Sequence, residues 1–405
     1  MNLSYFISSR TRVQQGSFSS AIHKIAVASI AIGLAAAIVS FLVFNGFEKT
    51  VKEKVFSFSA HLQVNQMSLS NSTEEPWFST NIDLYNHPET FDNVAHVQEY
   101  AHKAGLIKGK QEVLGVVLKG VGRSFDQRRF QESMVEGSFI NFSDSGYSRE
   151  VVISRQIANK MNLAVGDRMI IHFFQNPPRF RNLKVSGIYE TNLSDYYDSK
   201  IILGDIGLIR RLNDWPDSLA GGLQVYVKDD TRIDETVETI GERMDFDLLI
   251  EKTSDKFYQV FEWLQLISRQ VKILLAIILI VVCVNMISVV LIMVMERTPM
   301  IGTLKALGAP NRLVRSVFIY QGIHLIVRGL VLGNVIGLGL CFLQYQFKII
   351  KLNPHNYYMS YVPIGWDWLA VGLLNLLVFG TVALVLMLPS GFVSRINPIK
   401  AIRFD

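Results

Sequence analysis

Cysteine is almost missing. The 405 residues hold two, Cys283 and Cys341, and both lie inside long apolar runs. The polar part of the chain has none, which excludes a disulfide framework and any Cys-ligated metal site there. A G-x-x-x-x-G-K-[S/T] phosphate loop is missing too. The nearest approach is "GLIKGKQE". It has three residues between Gly105 and Gly109 instead of four, and Gln111 stands where a Ser or Thr would hold magnesium, so it reads as a β-turn. No G-x-S-x-G elbow occurs, and no acid pair stands out. His87, His96 and His102 cluster in sequence without i, i+4 spacing or a carboxylate pattern, and read as surface histidines. The residues thus offer no catalytic group, no cofactor site and no metal site. The polar part reads as a binding or force-transmitting module. An excess of one charge sign is also missing, with 40 Lys and Arg against 35 Asp and Glu. The net charge is +5, with 19% charged residues and no basic, aromatic-interleaved patch, which argues against a nucleic-acid partner.

What the chain does have is apolar length. Hydrophobic residues make up 49%, and mean hydropathy is +0.26. Four runs reach the roughly 20 residues that cross a bilayer. They are Ile25 to Phe44, Ile273 to Met295, a stretch within Val317 to Phe347, and Trp366 to Leu388. The first is longer than a signal-peptide core, and "EKTVKEK" follows it without a small-residue cleavage site, so it reads as an uncleaved anchor. Lys and Arg gather before the first run (Arg10, Arg12, Lys24), between the second and third (Arg297, Lys305, Arg312, Arg315), and after the fourth (Arg395, Lys400, Arg403). These flanks should face the cytoplasm. Lys348 and Lys351 are a minority on the other side. Tyr357, Tyr358, Tyr361, Trp366 and Trp368 suggest an outer aromatic belt.

The expected architecture is a membrane protein with four transmembrane α-helices. A large α+β extracytoplasmic domain lies between the first and second. In numbers, this gives a cytosolic entry segment 1–24, first span 25–47, outer domain 48–265, second span 266–295, and cytosolic loop 296–316. A third span 317–347, outer loop 348–365, fourth span 366–388 and cytosolic tail 389–405 complete it. In the outer domain, "EVVISRQIANKMNLAVGDRMIIHFF" reads as strand, helix, turn, strand. Ser154 is the helix cap, Ile157, Met161 and Leu163 form the apolar stripe, and Gly166-Asp167 makes the turn. "EVLGVVLKGVG" and "LQVYVKD" read as strands, and "RIDETVETIGERM" as an amphipathic helix.

Between the second and third spans, Thr298 is placed to N-cap a short helix with Pro299 at its first position. Ile301, Leu304 and Leu307 fall at i, i+3, i+6. Gly308 suits C′, and Pro310 blocks continuation. About ten residues are too few for a helix stable alone in water, so it should dock, either on the membrane surface or in a partner's groove. Gly329, Gly333 and Gly337 make a small-xxx-small face for close helix packing. Arg328 beside them is either deep in the span, where a charge is costly and marks function, or near the cytosolic interface, the placement that Gln321 and His324 before it favour.

"ERTPMIGTLKALGA" resembles the signature E-R-x-x-E-I-G-x-L-K-A-L-G-A of ABC transporter permeases of the MacB/FtsX superfamily. Glu296, Arg297, Ile301, Gly302, Leu304, Lys305, Ala306, Leu307 and Gly308 match, and Met300 replaces the common glutamate. "VFNGFEKTVKEKV", "VVISRQIANKMNLAVGD", "GVVLKGVG", "FISSR" and "NPIKAIRFD" resemble, in order, segments of the LolC/LolE lipoprotein-releasing permeases. The link "HFFQNPPRFRNLKV" is short where LolC proteins carry a long hairpin hook for a periplasmic carrier. The resemblance implies a multi-pass protein of the cell inner membrane, its large domain in the periplasm. Its partners would be a separate ABC ATPase subunit (LolD-like), a second permease copy or paralogue, membrane lipid, a lipoprotein substrate, and a periplasmic lipoprotein carrier if the short link still receives one. It assigns ATPase coupling to Glu296, Arg297, Thr298, Met300, Ile301, Leu304, Lys305, Leu307 and Gly308. It places acyl chains near Phe41, Phe44, Phe47, Phe257, Phe261, Leu264 and Ile267, the last four on one helical stripe. The same superfamily includes MacB-like efflux permeases and FtsX-like regulators of a periplasmic hydrolase. A sensor with a ligand-binding outer domain is a reading of a different class, for which the flanks offer no output domain.

Overall fold

The computed structural model describes residues 17–68, 74–109, 112–143, 146–192, 195–353 and 357–390. The "FISSR" and "NPIKAIRFD" segments lie outside them, as do Lys110 and Gln111 and the cationic residues Arg10, Arg12, Arg395, Lys400 and Arg403. The chain divides into two compact units, one of residues 1–49, 263–351 and 361–405, the other of residues 50–262 and 352–360.

The first unit holds the apolar runs. Among the described residues, four helices are long and apolar enough to cross a membrane. They are α1 (Ser17–Ser59), α2 (Tyr258–Glu296), α4 (Asn311–Phe347) and α5 (Trp368–Ser390), with the short α3 (Thr298–Ala306) between α2 and α4. The helices outrun the apolar stretches because no Pro or Gly-rich break stops them at the charged flanks. Ile30, Leu34, Ile38 and Leu42 of α1 form a stripe at i, i+4 spacing. It packs into one core with Val290, Phe318, Ile326, Val382 and Leu386. Burying one such side chain is worth about 1.5–3 kcal/mol against water, but lipid is as apolar as leucine, so inside a bilayer shape must do more of the work.

Glycine supplies that shape. A Cβ at Gly329 would sit 2.6 Å from Ile30 Cβ, one at Gly333 2.9 Å from Ala31 O, and one at Gly337 3.0 Å from Ala35 Cα. The three glycines therefore let the α4 backbone lie directly on α1. Partner numbers rise together along both helices, so α1 and α4 run parallel. Polar pairs add to this. Asn334 and Asn375 exchange amide hydrogen bonds of 2.7 and 3.0 Å between α4 and α5, and Asn285 donates to Ser29 Oγ at 2.8 Å. Such intramembrane bonds average roughly 0.6 kcal/mol. Gln344 closes the far end of α4, donating to the Ile350 and Val362 carbonyls and accepting from Ile350 N–H. Each span is buried over only 22% to 39% of its most apolar window, so most of its surface is left for lipid or another chain.

The second unit is α+β. Ten strands form one sheet, in the order β12-β1-β11-β3-β4-β9-β6-β8-β5, with β7 joined to both β3 and β8. Their ranges are β1 Leu62–Gln66, β3 Val94–Lys108, β4 Val113–Val121, β5 Met134–Gly137, β6 Glu150–Ser154, β7 Arg168–Phe173, β8 Arg179–Tyr189, β9 Ile201–Asp205, β11 Gly222–Val227 and β12 Leu248–Lys252, while β2 (Phe78–Ser79) and β10 (Leu219–Ala220) pair only with each other. The pairings β3-β4-β9-β6-β8-β7-β3 return to their start. Six strands thus close a ring, and β11, β1 and β12 extend from it as a wing. The 15-residue β3 belongs to both. On one edge its first half pairs with β11 and its second half, Gly105 to Ile107, with β7. Closure removes the exposed edges that a sheet would otherwise present.

Alternation along the strands fills three cores. Leu118, Val151, Ile153, Ile171, Val185 and Ile202 face one side of the ring. Val117, Val121, Val152 and Leu203 face the other, under Phe58, Phe125, Phe130, Phe139 and Tyr189. The wing buries Leu62, Val64, Leu223 and Val225 beneath Ile240 of the helix Ile233–Gly241. Local signals worked where they were local. Ser154 Oγ accepts from Ile157 N at 3.0 Å and starts the helix Arg155–Met161, and Gly166, at φ +96°, makes the turn into β7. "GLIKGKQE" lies across the β3–β4 hairpin, where Lys108 pairs with Val113. His102 departs from its reading as a surface histidine. Its Nδ1 bonds Glu75 Oε1 at 2.6 Å, with both side chains under 20% exposed. Burial pushes the Glu75 carboxyl up, and the His102 ring outweighs that, leaving it below its ordinary value.

Candidate functional site

The α3 helix begins differently from its sequence reading. Arg297 occupies the N-cap position with no side-chain cap. Thr298 Oγ1 instead bonds back to the carbonyls of Met295 at 2.8 Å and Val294 at 3.3 Å. It thereby satisfies the end of α2 rather than the start of α3, as threonines near a helix terminus often do. Pro299 stands in the first turn, where its missing N–H costs nothing. At the far end Gly308 has φ +87°. Its N–H bonds Lys305 O, and Ala309 N–H bonds Leu304 O, each at 3.0 Å. This is a Schellman closure, and a side chain at 308 would be strained in it.

The apolar residues of α3 split into two sets. Ile301 and Gly302 are buried, and Met300 and Leu304 pack half-buried on the span core. Leu307 is 85% exposed. Thr303, Ala306 and Gly308 are exposed beside it, while Glu296, Arg297 and Lys305 are half-buried. The helix is thus seated on its own bundle by Ile301 and Leu304, and it presents Leu307 outward. The i, i+3, i+6 spacing misled because six residues turn a helix by about 600°, which sets Leu307 about 120° round from Ile301; its N–H still bonds Thr303 O at 3.0 Å, so it keeps that helical phase.

The aromatic positions also separate. Phe257 lies before α2 starts, with its N–H on Thr253 O. Its ring is 5.6 Å from Tyr197, and Phe261 lies 5.8 Å from Phe56. Both pack on the aromatic core beside the strand ring. They do not continue one free stripe with Leu264, which is buried, and Ile267, which is half-buried. Phe47 is buried and meets Trp263 edge-on at 5.4 Å, whereas Phe41 and Phe44 are half-buried.

Two lysines of the α+β unit have no sequence signature. Lys54 Nζ donates to Thr191 O at 3.1 Å and Tyr358 O at 2.6 Å, joining two loops. Burial lowers its pKa, against the pull of Asp198. Lys119 is fully enclosed on β4. It donates to Phe58 O and lies 4.5 Å from the Phe58 ring. Burial brings it down to about 7. Arg210 and Glu99 form a buried pair at 2.7 Å, and Arg210 Nε also holds Leu219 O.

Models of known families match most of the chain. A model of the MacB-like periplasmic core domain matches residues 25–243, and one of the FtsX-like permease C-terminal domain matches residues 272–398. Relatives align over most of the chain. The lipoprotein-releasing system transmembrane protein LolC of Neisseria meningitidis is 22% identical over 97% of this chain and 96% of its own. LolE of Haemophilus influenzae is 22% identical over 99% of both, and LolC of the same organism is 25% identical over 84% of both. The first model alone spans more than half of the chain, and the chain therefore belongs to the family of membrane permeases that join a MacB-like periplasmic core domain to an FtsX-like permease C-terminal domain.

Proposed function

We propose that the chain is the permease subunit of an ABC transporter that extracts lipoproteins from the inner membrane for transfer to the outer membrane. The observation that carries the reading is α3, a capped nine-residue helix seated on the spans by one face, with Leu307 turned out. A helix this short gains its order from docking, and an exposed leucine beside a tight glycine turn is suited to a groove on a second protein. The chain has no nucleotide loop of its own, so hydrolysis belongs to a separate ATPase subunit, and Glu296 to Gly308 form the segment it engages. The thinly buried spans suit a second permease, like or unlike, completing the bundle.

The lipoprotein reading is supported by the names of relatives that align from end to end. Acyl chains would meet Phe41 and Phe44 of α1 and Ile267 of α2, the half-buried candidates that lie in the unit of the spans. Phe257 and Phe261 belong to the aromatic core of the α+β unit instead. The polar domain faces the periplasm in this reading, with α3 in the cytosol. Depletion of the chain tests the function directly. Lipoproteins destined for the outer membrane should accumulate in the inner membrane, and an ATPase should co-purify with the tagged permease. Normal lipoprotein sorting, with loss of efflux or of cell-wall hydrolase activity instead, would assign the chain to another branch of the superfamily.

A further inference from the structure

A groove of about 630 Å³ opens between α1 and α4. His23, Lys24, Gln321, His324 and Arg328 line its polar end. Val331 and Leu332 line the other, and they are 58% and 47% exposed, so the groove opens sideways. The glycine contacts fix its level. Gly329 lies against Ile30 and the Val27 carbonyl on a parallel helix, which puts Arg328 about five residues, roughly 7 Å, beyond Lys24 along the axis. An arginine side chain reaches that far back along a helix. Lys24 immediately precedes the uncharged run of α1, and Arg328 that of α4, whose following residues to Phe347 carry no charge. Both cations therefore stand at the same edge of the bilayer.

Neither is compensated among the described residues. Lys24 and Arg328 are exposed, and among the described residues neither makes an ion pair or hydrogen bond. No Asp or Glu lines the groove. Two cations at a membrane edge without a counter-charge attract phosphate. A free anion would need only the polar end. The exposed valine and leucine continue the site toward the hydrocarbon, and that asks for a ligand with acyl chains.

We infer that the α1–α4 groove binds the headgroup phosphate of an acidic phospholipid between Lys24 and Arg328, with its acyl chains along Val331 and Leu332. The lipid would hold the two parallel helices together at their charged end. That this is the cytosolic leaflet rests on the proposed orientation; the binding itself does not.

The test is native mass spectrometry of the full chain, with the partners that co-purify, titrated with phosphatidylglycerol, phosphatidylcholine or inorganic phosphate. Phosphatidylglycerol should bind at least tenfold more tightly than phosphatidylcholine. Lys24→Gln with Arg328→Gln should weaken phosphatidylglycerol by about 30-fold, since each cation near a membrane surface contributes about fivefold. It should leave phosphatidylcholine binding and the melting temperature in phosphatidylcholine micelles unchanged. The charge-keeping pair Lys24→Arg with Arg328→Lys should retain the preference. Equal binding of the two lipids, or an unaffected Gln pair, overturns the inference. Displacement of the lipid by millimolar phosphate overturns it as well, and assigns the groove to a free anion.

Discussion

Leu304 and Leu307 lie three positions apart on one short segment, and the structure gives them opposite duties. Leu304 packs half-buried on the span core, and Leu307 is 85% exposed. Truncating a buried leucine to alanine costs about 2–5 kcal/mol, so a half-buried one should cost roughly half of that in stability of the permease itself. Leu307→Ala removes a side chain that touches little in the chain, so stability should hold. If Leu307 enters a groove on the ATPase, its burial there is worth about 1.5–3 kcal/mol, and its loss should weaken association roughly 10- to 150-fold. Leu307→Asp should do more, because a carboxylate would be dehydrated without a partner. The assays are thermal unfolding of each variant in detergent, and titration of the immobilised permease with the purified ATPase subunit. The reasoning fails if Leu307→Ala binds like the parent while Leu304→Ala loses the ATPase at unchanged melting temperature. The seated and presented faces of α3 would then be reversed.

Gly333→Leu should destabilise the bundle by about 1–3 kcal/mol through overpacking on Ala31 and Leu34, whereas Gly339→Leu, where a Cβ meets nothing within 4 Å, should not; denaturant titration in detergent compares them. Lys119 has a folded pKa of about 7 against an ordinary 10.5, so the folded chain binds fewer protons between those values and its stability should rise with pH across that window. Lys119→Met should flatten the rise, as read from melting temperatures of the full chain at pH 6.5 and 9.5; an unchanged slope would show that Lys119 is hydrated. A cysteine at exposed Asn141, in a background lacking Cys283 and Cys341, should react with an impermeant thiol reagent once the outer membrane is opened. Labelling only after inner-membrane lysis would invert the proposed orientation.

The legible parts of the fold were those decided by neighbours in sequence. Uncharged runs gave the four spanning helices, Ser154 and Gly308 gave a start and a stop, and short β-rich stretches gave β4 and β11. The strand ring was hidden because its closure depends on partners far apart, such as Val117 with Ile201 in a parallel pair. The split of β3 was hidden for the same reason, since nothing within its 15 residues says that one edge serves two strands. His102 looked like surface because Glu75, which covers it, is distant in the chain and unremarkable in type. At the loop helix the motif was legible but its facing was not. Steps of three residues drift by about 60° each, so Leu307 falls off the face that Ile301 and Leu304 seat. The four-residue stripe toward the second span divides because Phe257 and Phe261 pack on the aromatic core of the α+β unit.

The contact between α1 and α4 repeats itself. Gly329, Gly333 and Gly337 recur every four residues, and so do Ile30, Leu34 and Ile38 that they meet. Displacing α4 by one turn, about 6 Å, brings each glycine opposite the next large residue of the same series, with Leu42 extending the row. Between those positions, bulky side chains would ride over helix backbone with no recess to enter. The two helices therefore have detents. Sliding α4 along α1 would thus find seats only at whole-turn offsets, and a row of four large residues against three glycines limits how many there are.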